Sequence, residues 1–179
     1  MTAQGFALFG TTIGECGIAW SQGGIVGVQL PESTADRTRA RLVRQFPGTV
    51  QGEPPAPVRD AIAGIVSLLE GDRVDLSSIA VDLTAVPAFH RRVYEVVRAI
   101  PAGDTLTYGE VADRVSEPRA AQAVGQALGR NPVPIIVACH RVLAASGKIG
   151  GFSATGGALT KRRILAIEGA LAPEEPTLF

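Results

Sequence analysis

Three short apolar runs open the chain, FALFG, IGECGIAW and GIVGVQL, broken by glycine, threonine and a Ser-Gln-Gly turn. Runs of this length between turn residues predict an antiparallel meander. The period then becomes helical. A helix is predicted from Thr34 to Phe46, closed by Pro47 and Gly48, and after the proline-rich EPPAP a second one carries Val58, Ile62, Ile65 and Leu69 on one face. Beyond residues 81–86 the pattern stays helical, with Phe89, Val93, Val96, Val97 and Ile100 forming a stripe that ends at Pro101-Ala102-Gly103. In TYGEVADRV, Thr107 and Glu110 have the spacing of a capping box, with Val111 and Val115 facing inward. A third helix is expected within SEPRAAQAVGQALGRN, with Pro118 in its first turn and Gly129 near its end, so the two short helices suggest a helix-turn-helix. The apolar stretch of NPVPIIVACHRV predicts a strand ending at Cys139, and TKRRILAIEG a last helix.

The fold class expected is α+β. An antiparallel sheet with helices should occupy 1–86, a helix-turn-helix domain 87–170, and a flexible tail 171–179. In the third helix Val124 and Leu128 mark a buried side, while Arg119, Gln122 and Gln126 share a polar one. Its alanines and glycine keep it slim, which suits close approach to a nucleic-acid groove and equally suits tight packing within a domain.

Composition narrows the classes. Hydrophobic residues make up 46% of 179, yet no apolar stretch reaches the roughly 18 residues of a membrane helix. The N-terminus lacks a basic segment ahead of a sustained apolar one, so a cytoplasmic protein with no membrane association is expected. Net charge is zero but unevenly spread: residues 87–170 carry eleven Lys and Arg against six acids, a net +5. A basic half is compatible with a polyanion partner and also with an ordinary solvated face. Glu174 and Glu175 fall in the proline-containing tail. Two cysteines, Cys16 and Cys139, and two histidines, His90 and His140, are too scattered for zinc-ligand spacing, so no metal is expected.

The candidate chemistry sits in VACHRVL, where Cys139, His140 and Arg141 follow an apolar run. A buried cysteine is often only a small hydrophobe. Here a base and a cation adjoin it, and a free thiol at neutral pH needs such help because only a few per cent is thiolate. Side chains of adjacent residues on a strand point to opposite faces, so cooperation of Cys139 with His140 requires a turn or a bridging water. Glu168, before the helix-ending Gly169, is a third candidate, since a carboxylate at a helix C-terminus gains from a cationic or hydrogen-bonding partner. A solvated glutamate there is equally ordinary.

TYGEVA, AVGQALGRNPVPIIVACHRV, SGKIGGFSATGG and KRRILAIEG together resemble the O6-alkylguanine-DNA alkyltransferase (methylated-DNA-protein-cysteine methyltransferase) family across the second half of the chain. The first half is similar to that family's small ribonuclease-H-like N-terminal domain, and the second to its winged helix-turn-helix domain. The resemblance implies DNA repair by direct reversal, with Cys139 accepting the alkyl group irreversibly, once per molecule. It implies that His140 deprotonates Cys139 through water, that Glu168 orients His140, and that Tyr108 donates a proton to the departing base. Ser153 would bond the alkylated oxygen, Phe152 would pack on the extruded base, and Asn131 would tie the turn ahead of the cysteine. Gln122, Arg119 and Arg141 would meet DNA at the minor groove during base flipping, with Arg141 alternatively bracing the site. A monomer with no obligate protein partner is implied, and no cofactor.

Two positions depart from the family pattern. Ala138 replaces the proline before the cysteine, and Gln122 stands where the family presents an arginine to the DNA stack. Glutamine lacks the planar charge, so a reduced preference for duplex DNA is expected. Alternatives are a damage sensor that binds alkylated bases without reacting, and an alkyl acceptor favouring single strands or free bases.

Overall fold

The computed structural model describes residues 3–171. The tail expected over 171–179 therefore lies, apart from Leu171, outside the described residues. The chain forms a mixed α+β fold that begins with the meander the sequence predicts: β1 (Gly5–Thr11), β2 (Gly14–Ser21) and β3 (Gly24–Gln29), each antiparallel to the next. A two-residue β4 (Val50–Gln51) adds parallel to β1, giving the order β3-β2-β1-β4. Gly24 shows why glycine marks these turns: its φ is +131, and a Cβ there would stand 2.4 Å from the Ala80 carbonyl oxygen.

Helix α1 (Ala35–Gln45) starts where Thr34 accepts a hydrogen bond from the Arg37 amide, and it covers one sheet face by packing Leu42 against Phe6, Ala19 and Val26. Helix α2 (Ala56–Leu69) lies on the other face with Val58, Ala61, Ile65, Leu68 and Leu69 buried, while Ile62 is only half-buried. The main buried cluster is continuous from there into the second half, running from Ile18 and Ile25 through Val93, Val111 and Val124 to Ile164. Among the described residues, no helix is long and apolar enough to cross a membrane.

Helix α3 (Ala88–Arg98) buries Val93, Tyr94 and Val97, and the Tyr94 hydroxyl donates to the Ala127 carbonyl at 2.7 Å. A two-residue strand, β5 (Leu106–Thr107), precedes α4 (Tyr108–Arg114), whose capping box is complete: Thr107 accepts from the Glu110 amide and Glu110 from the Thr107 amide. Helix α5 (Ala121–Gly129) begins later than its sequence suggests. Ser116 adopts φ +62 and the Glu117 amide bonds back to Ala112, so the chain needs residues 117–120 to reverse direction. Pro118 and Arg119 thus lie in the turn, and Arg119 does not share the polar face of α5 with Gln122 and Gln126.

The expected strand before Cys139 is absent. Asn131 closes residues 131–137 into a loop, its side chain accepting from the Val133 amide at 3.0 Å and donating to the Val137 carbonyl at 2.9 Å. Pro132 and Pro134 have no amide to give to a ladder, and Ile135 takes φ +72, a conformation a β-branched residue enters only under constraint. The loop delivers the chain into a 3-10 turn at Cys139–Arg141, followed by β6 (Val142–Leu143), parallel to β5, and later by α6 (Ala158–Ile167).

Candidate active site

The 3-10 turn replaces the strict alternation of an extended strand. Successive side chains on it fan out by about 120°, so neighbours neither alternate faces nor share one. Cys139 borders a cavity, while His140 and Arg141 both reach Glu168, the residue capping the C-terminus of α6. His140 Nε2 is 2.8 Å from Glu168 Oε1, and neither side chain is exposed beyond 1%. Arg141 contacts the same carboxylate through Nε, at 3.0 Å from Oε2, and Nη2, at 2.7 Å from Oε1, while its Nη1 donates to the Ile100 carbonyl at 2.5 Å.

The protonation states follow from this packing. The bonds from His140 and Arg141 overcome the cost of burial and hold the Glu168 carboxyl down at about 2, so it is ionised. An ionised carboxylate accepts, which requires Nε2 of His140 to carry the proton and leaves a lone pair on Nδ1. Nδ1 is buried and has no hydrogen-bond partner among the described residues, which makes it the available base. Burial lowers the pKa of His140 despite Glu168, and burial raises that of the Cys139 thiol against the Asn131 amide and the charge of Lys161. The resting pair is therefore thiol and neutral imidazole. No direct side-chain hydrogen bond links them among the described residues.

The cavity beside Cys139 measures about 380 Å³ and is walled by Tyr108, Gly125, Leu128, Gly151, Phe152 and Ser153. Tyr108 is the first residue of α4, placed there by the capping box, and a Cβ at Gly150 would come within 2.8 Å of its hydroxyl. The backbone at Gly150 can approach the phenol only because no side chain intervenes. Burial and proximity to Cys139 raise the pKa of Tyr108, keeping it a proton donor. Through Tyr108 and Gly125 this cavity adjoins an outer groove of about 660 Å³ lined by Gln122, Gln126, Ala144 and Ala145. A further opening of about 620 Å³, between Val74–Ser77 and the end of α3, touches Arg141 but does not reach Cys139.

Comparisons with known proteins give the chain its family. The family model for the 6-O-methylguanine DNA methyltransferase DNA binding domain matches residues 88–170. The methylated-DNA-protein-cysteine methyltransferase of Methanothermobacter thermautotrophicus is 34% identical over 156 residues, covering 87% of this chain and 80% of that protein. The chain belongs to the methylated-DNA-protein-cysteine methyltransferase family. The Mycobacterium tuberculosis member is 50% identical over 91 residues, a match that spans 54% of its length, or about half. The crystal structure of the Mycobacterium tuberculosis O6-methylguanine methyltransferase superposes with a TM-score of 0.74 at 32% identity, covering 97% of each chain. That of Mycobacterium tuberculosis OGT in complex with DNA gives 0.72 at 31%, covering 94% of each.

Within this methyltransferase-family fold, the residues singled out in the sequence fall into three places. Cys139, Tyr108, Phe152 and Ser153 line the cavity, His140 and Glu168 lie behind the cysteine, and Asn131 closes the loop before it. Gln122 is exposed on α5 facing the groove, and Arg119 is exposed in the preceding turn. Of the two places the sequence leaves open for Arg141, the geometry is that of a brace. It is only 6% exposed, and its guanidinium bonds Glu168 and the Ile100 carbonyl. Sequence reasoning also missed Lys161, which is 1% exposed, donates from Nζ to the Val142 carbonyl at 2.5 Å and stands 5.8 Å from the centre of the Tyr108 ring. The available signal was helical spacing, since Lys161, Ile164, Leu165 and Glu168 form one inward stripe of α6 and its C-cap. Among the described residues, no group of three His, Cys, Asp or Glu side chains is placed to hold a metal ion.

Proposed function

We propose that this chain repairs DNA by direct reversal, transferring an alkyl group, in the simplest case methyl, from O6 of a guanine to Cys139 in one irreversible turnover. The carrying observation is the buried His140–Glu168 pair behind a cysteine that opens into a base-sized cavity. Glu168 holds the imidazole with its proton on Nε2, and Nδ1 takes the thiol proton, through water. The thiolate attacks the alkyl carbon: the S–C bond forms as the C–O6 bond breaks, and the electron pair leaves with guanine. Tyr108 supplies the proton that neutralises the departing base. Ser153 bonds the alkylated oxygen and Phe152 packs on the ring. The product is a thioether, which no group in the cavity reverses.

Ionisation alone gives little. For an ordinary thiol, raising a few per cent of thiolate to all of it is worth about 30-fold, roughly 2 kcal/mol, and the buried Cys139 thiol starts from less. Alignment of the alkyl carbon with sulfur is worth several kcal/mol more, and that requires an extruded nucleotide seated in the cavity. In this reading α4 and α5 act as the helix-turn-helix of a winged domain over 87–170. Slim α5 enters the minor groove, Gln122 faces the gap in the stack, and Arg119 contacts the backbone. Residues 1–86 form a ribonuclease-H-like domain. The protein acts as a cytoplasmic monomer, with alkylated DNA as its partner and no obligate protein partner. The structure of a relative with DNA supports the choice of partner.

A second reading, preference for single-stranded substrate, is favoured by the uncharged Gln122. Both are tested by intact mass and peptide mapping after incubation with single- and double-stranded oligonucleotides containing O6-methylguanine, with Cys139→Ser as control. A stable gain of one CH2 on Cys139 is the expected result. Tight lesion binding with no mass gain moves the protein to the damage-sensor class.

A further inference from the structure

Cys139 borders a second cavity as well. It measures about 260 Å³ and opens toward the first half of the chain, where β3 and α1 contribute Gln29, Arg41 and Gln45 and the end of α5 contributes Arg130. Gly129, Cys139, Phe152 and Ser153 belong to the walls of both cavities, so Cys139 lies between the two chambers. Their chemistry differs. No charged residue lines the chamber on the Tyr108 side, whereas the second has two arginines and no acid among its described lining residues.

We propose that this second chamber receives the part of the alkyl group beyond its reacting carbon, and that Arg41 and Arg130 make it favour substituents ending in a carboxylate. The proposal rests on the reading that Cys139 accepts alkyl groups from guanine. Displacement at carbon runs in line, from sulfur through carbon to the leaving oxygen, so the other substituents of that carbon splay sideways from the axis. Methyl needs no lateral room. A longer group must run along the flank of the sulfur, and with the base held on the Tyr108 side the open flank is the second chamber. Its polar walls disfavour a hydrocarbon tail and offer donors to an anion. Arg130 forms no ion pair among the described residues, while Arg41 is partly neutralised by Glu32, 2.7 Å from its Nη1. In the reaction the S–CH2 bond forms, the CH2–O6 bond breaks, guanine leaves with the electron pair and takes up a proton, and S-carboxymethylcysteine remains.

The test measures single-turnover transfer to the full chain from one oligonucleotide carrying O6-methylguanine, O6-carboxymethylguanine or its neutral isostere O6-carbamoylmethylguanine. Wild type is compared with the Arg41→Gln/Arg130→Gln double variant and with Glu32→Gln. The double variant is expected to lower the carboxymethyl-to-carbamoylmethyl rate ratio about tenfold, the scale of a charge-assisted contact, and to leave methyl transfer within about twofold. Glu32→Gln, which releases Arg41, should raise that ratio. An unchanged ratio overturns the proposal. So does an equal fall for all three lesions, which assigns the arginines to the DNA backbone. Absence of methyl transfer by wild type is a separate outcome that removes the alkyl-transfer reading and this subsite with it.

Discussion

His140 Nε2 and Glu168 Oε1 lie 2.8 Å apart in a region closed to solvent, and the carboxylate that fixes the imidazole is itself chelated by Arg141. One carboxylate thus holds a neutral imidazole and a permanent guanidinium cation, and its loss is felt twice. In Glu168→Gln the amide still accepts from Nε2, but Arg141 is left as a buried charge without its bonded carboxylate. Transfer to Cys139 is expected to fall by one to two decades, and stability by about 3 kcal/mol, the usual cost of breaking a buried pair. Single-turnover kinetics and urea unfolding measure the two effects separately. Wild-type rate and stability in this variant remove the role assigned to the pair.

The same pair sets an acid limit on stability. Glu168 is held at about 2 against an ordinary 4.5, so its contribution is full above the ordinary value and fades as pH falls toward 2. His140 is lowered from 6.5 by burial, so below that range the unfolded chain binds a proton the native state resists. Both shifts make the unfolded state bind more protons, and both make stability rise with pH. The midpoint in urea should begin to drop below about pH 6.5 and drop more steeply below about 4.5, with a total near 3 kcal/mol from Glu168. A flat profile between pH 7 and 4 contradicts this account.

Arg141 tests the division between brace and DNA contact. Arg141→Met should lower the thermal midpoint, yet leave the salt dependence of DNA binding by the folded protein unchanged, because each lost phosphate contact would reduce the slope of log K against log salt by about 0.9. A reduced slope with unaltered stability returns Arg141 to the DNA surface.

Gln122 is exposed at the groove beside the cavity. Replacing it by arginine adds a planar cation able to stabilise the gap left by a flipped base, and the expected gain in duplex over single-strand transfer is about tenfold, or 1.4 kcal/mol. Equal rates for Gln122→Arg and wild type on duplex leave the site without that function.

What the sequence by itself determined was local. The meander at residues 5–29, the Thr34 cap and the reciprocal Thr107/Glu110 box depend on neighbours within a few positions, and each is present where its pattern predicts. The α+β class followed from those elements, and Cys139 and His140 stood out through scarcity and adjacency. Tertiary structure decided the rest. The apolar residues 132–138 read as a strand because periodicity cannot register that Asn131 bonds the amide and carbonyl closing the loop, or that two prolines withhold donors. Arg119 left the helix because Ser116 turns the chain with a positive φ. Arg141 looked like a surface cation because its partner lies 27 residues away in sequence, and Lys161 passed unnoticed because a buried ammonium is recognisable only once Val142 and Tyr108 surround it. Local hydrogen bonds are written in adjacent residues. The burial of a charge is set by segments that meet only when the chain has folded, and burial is what fixes the protonation states on which the chemistry proposed for Cys139 depends.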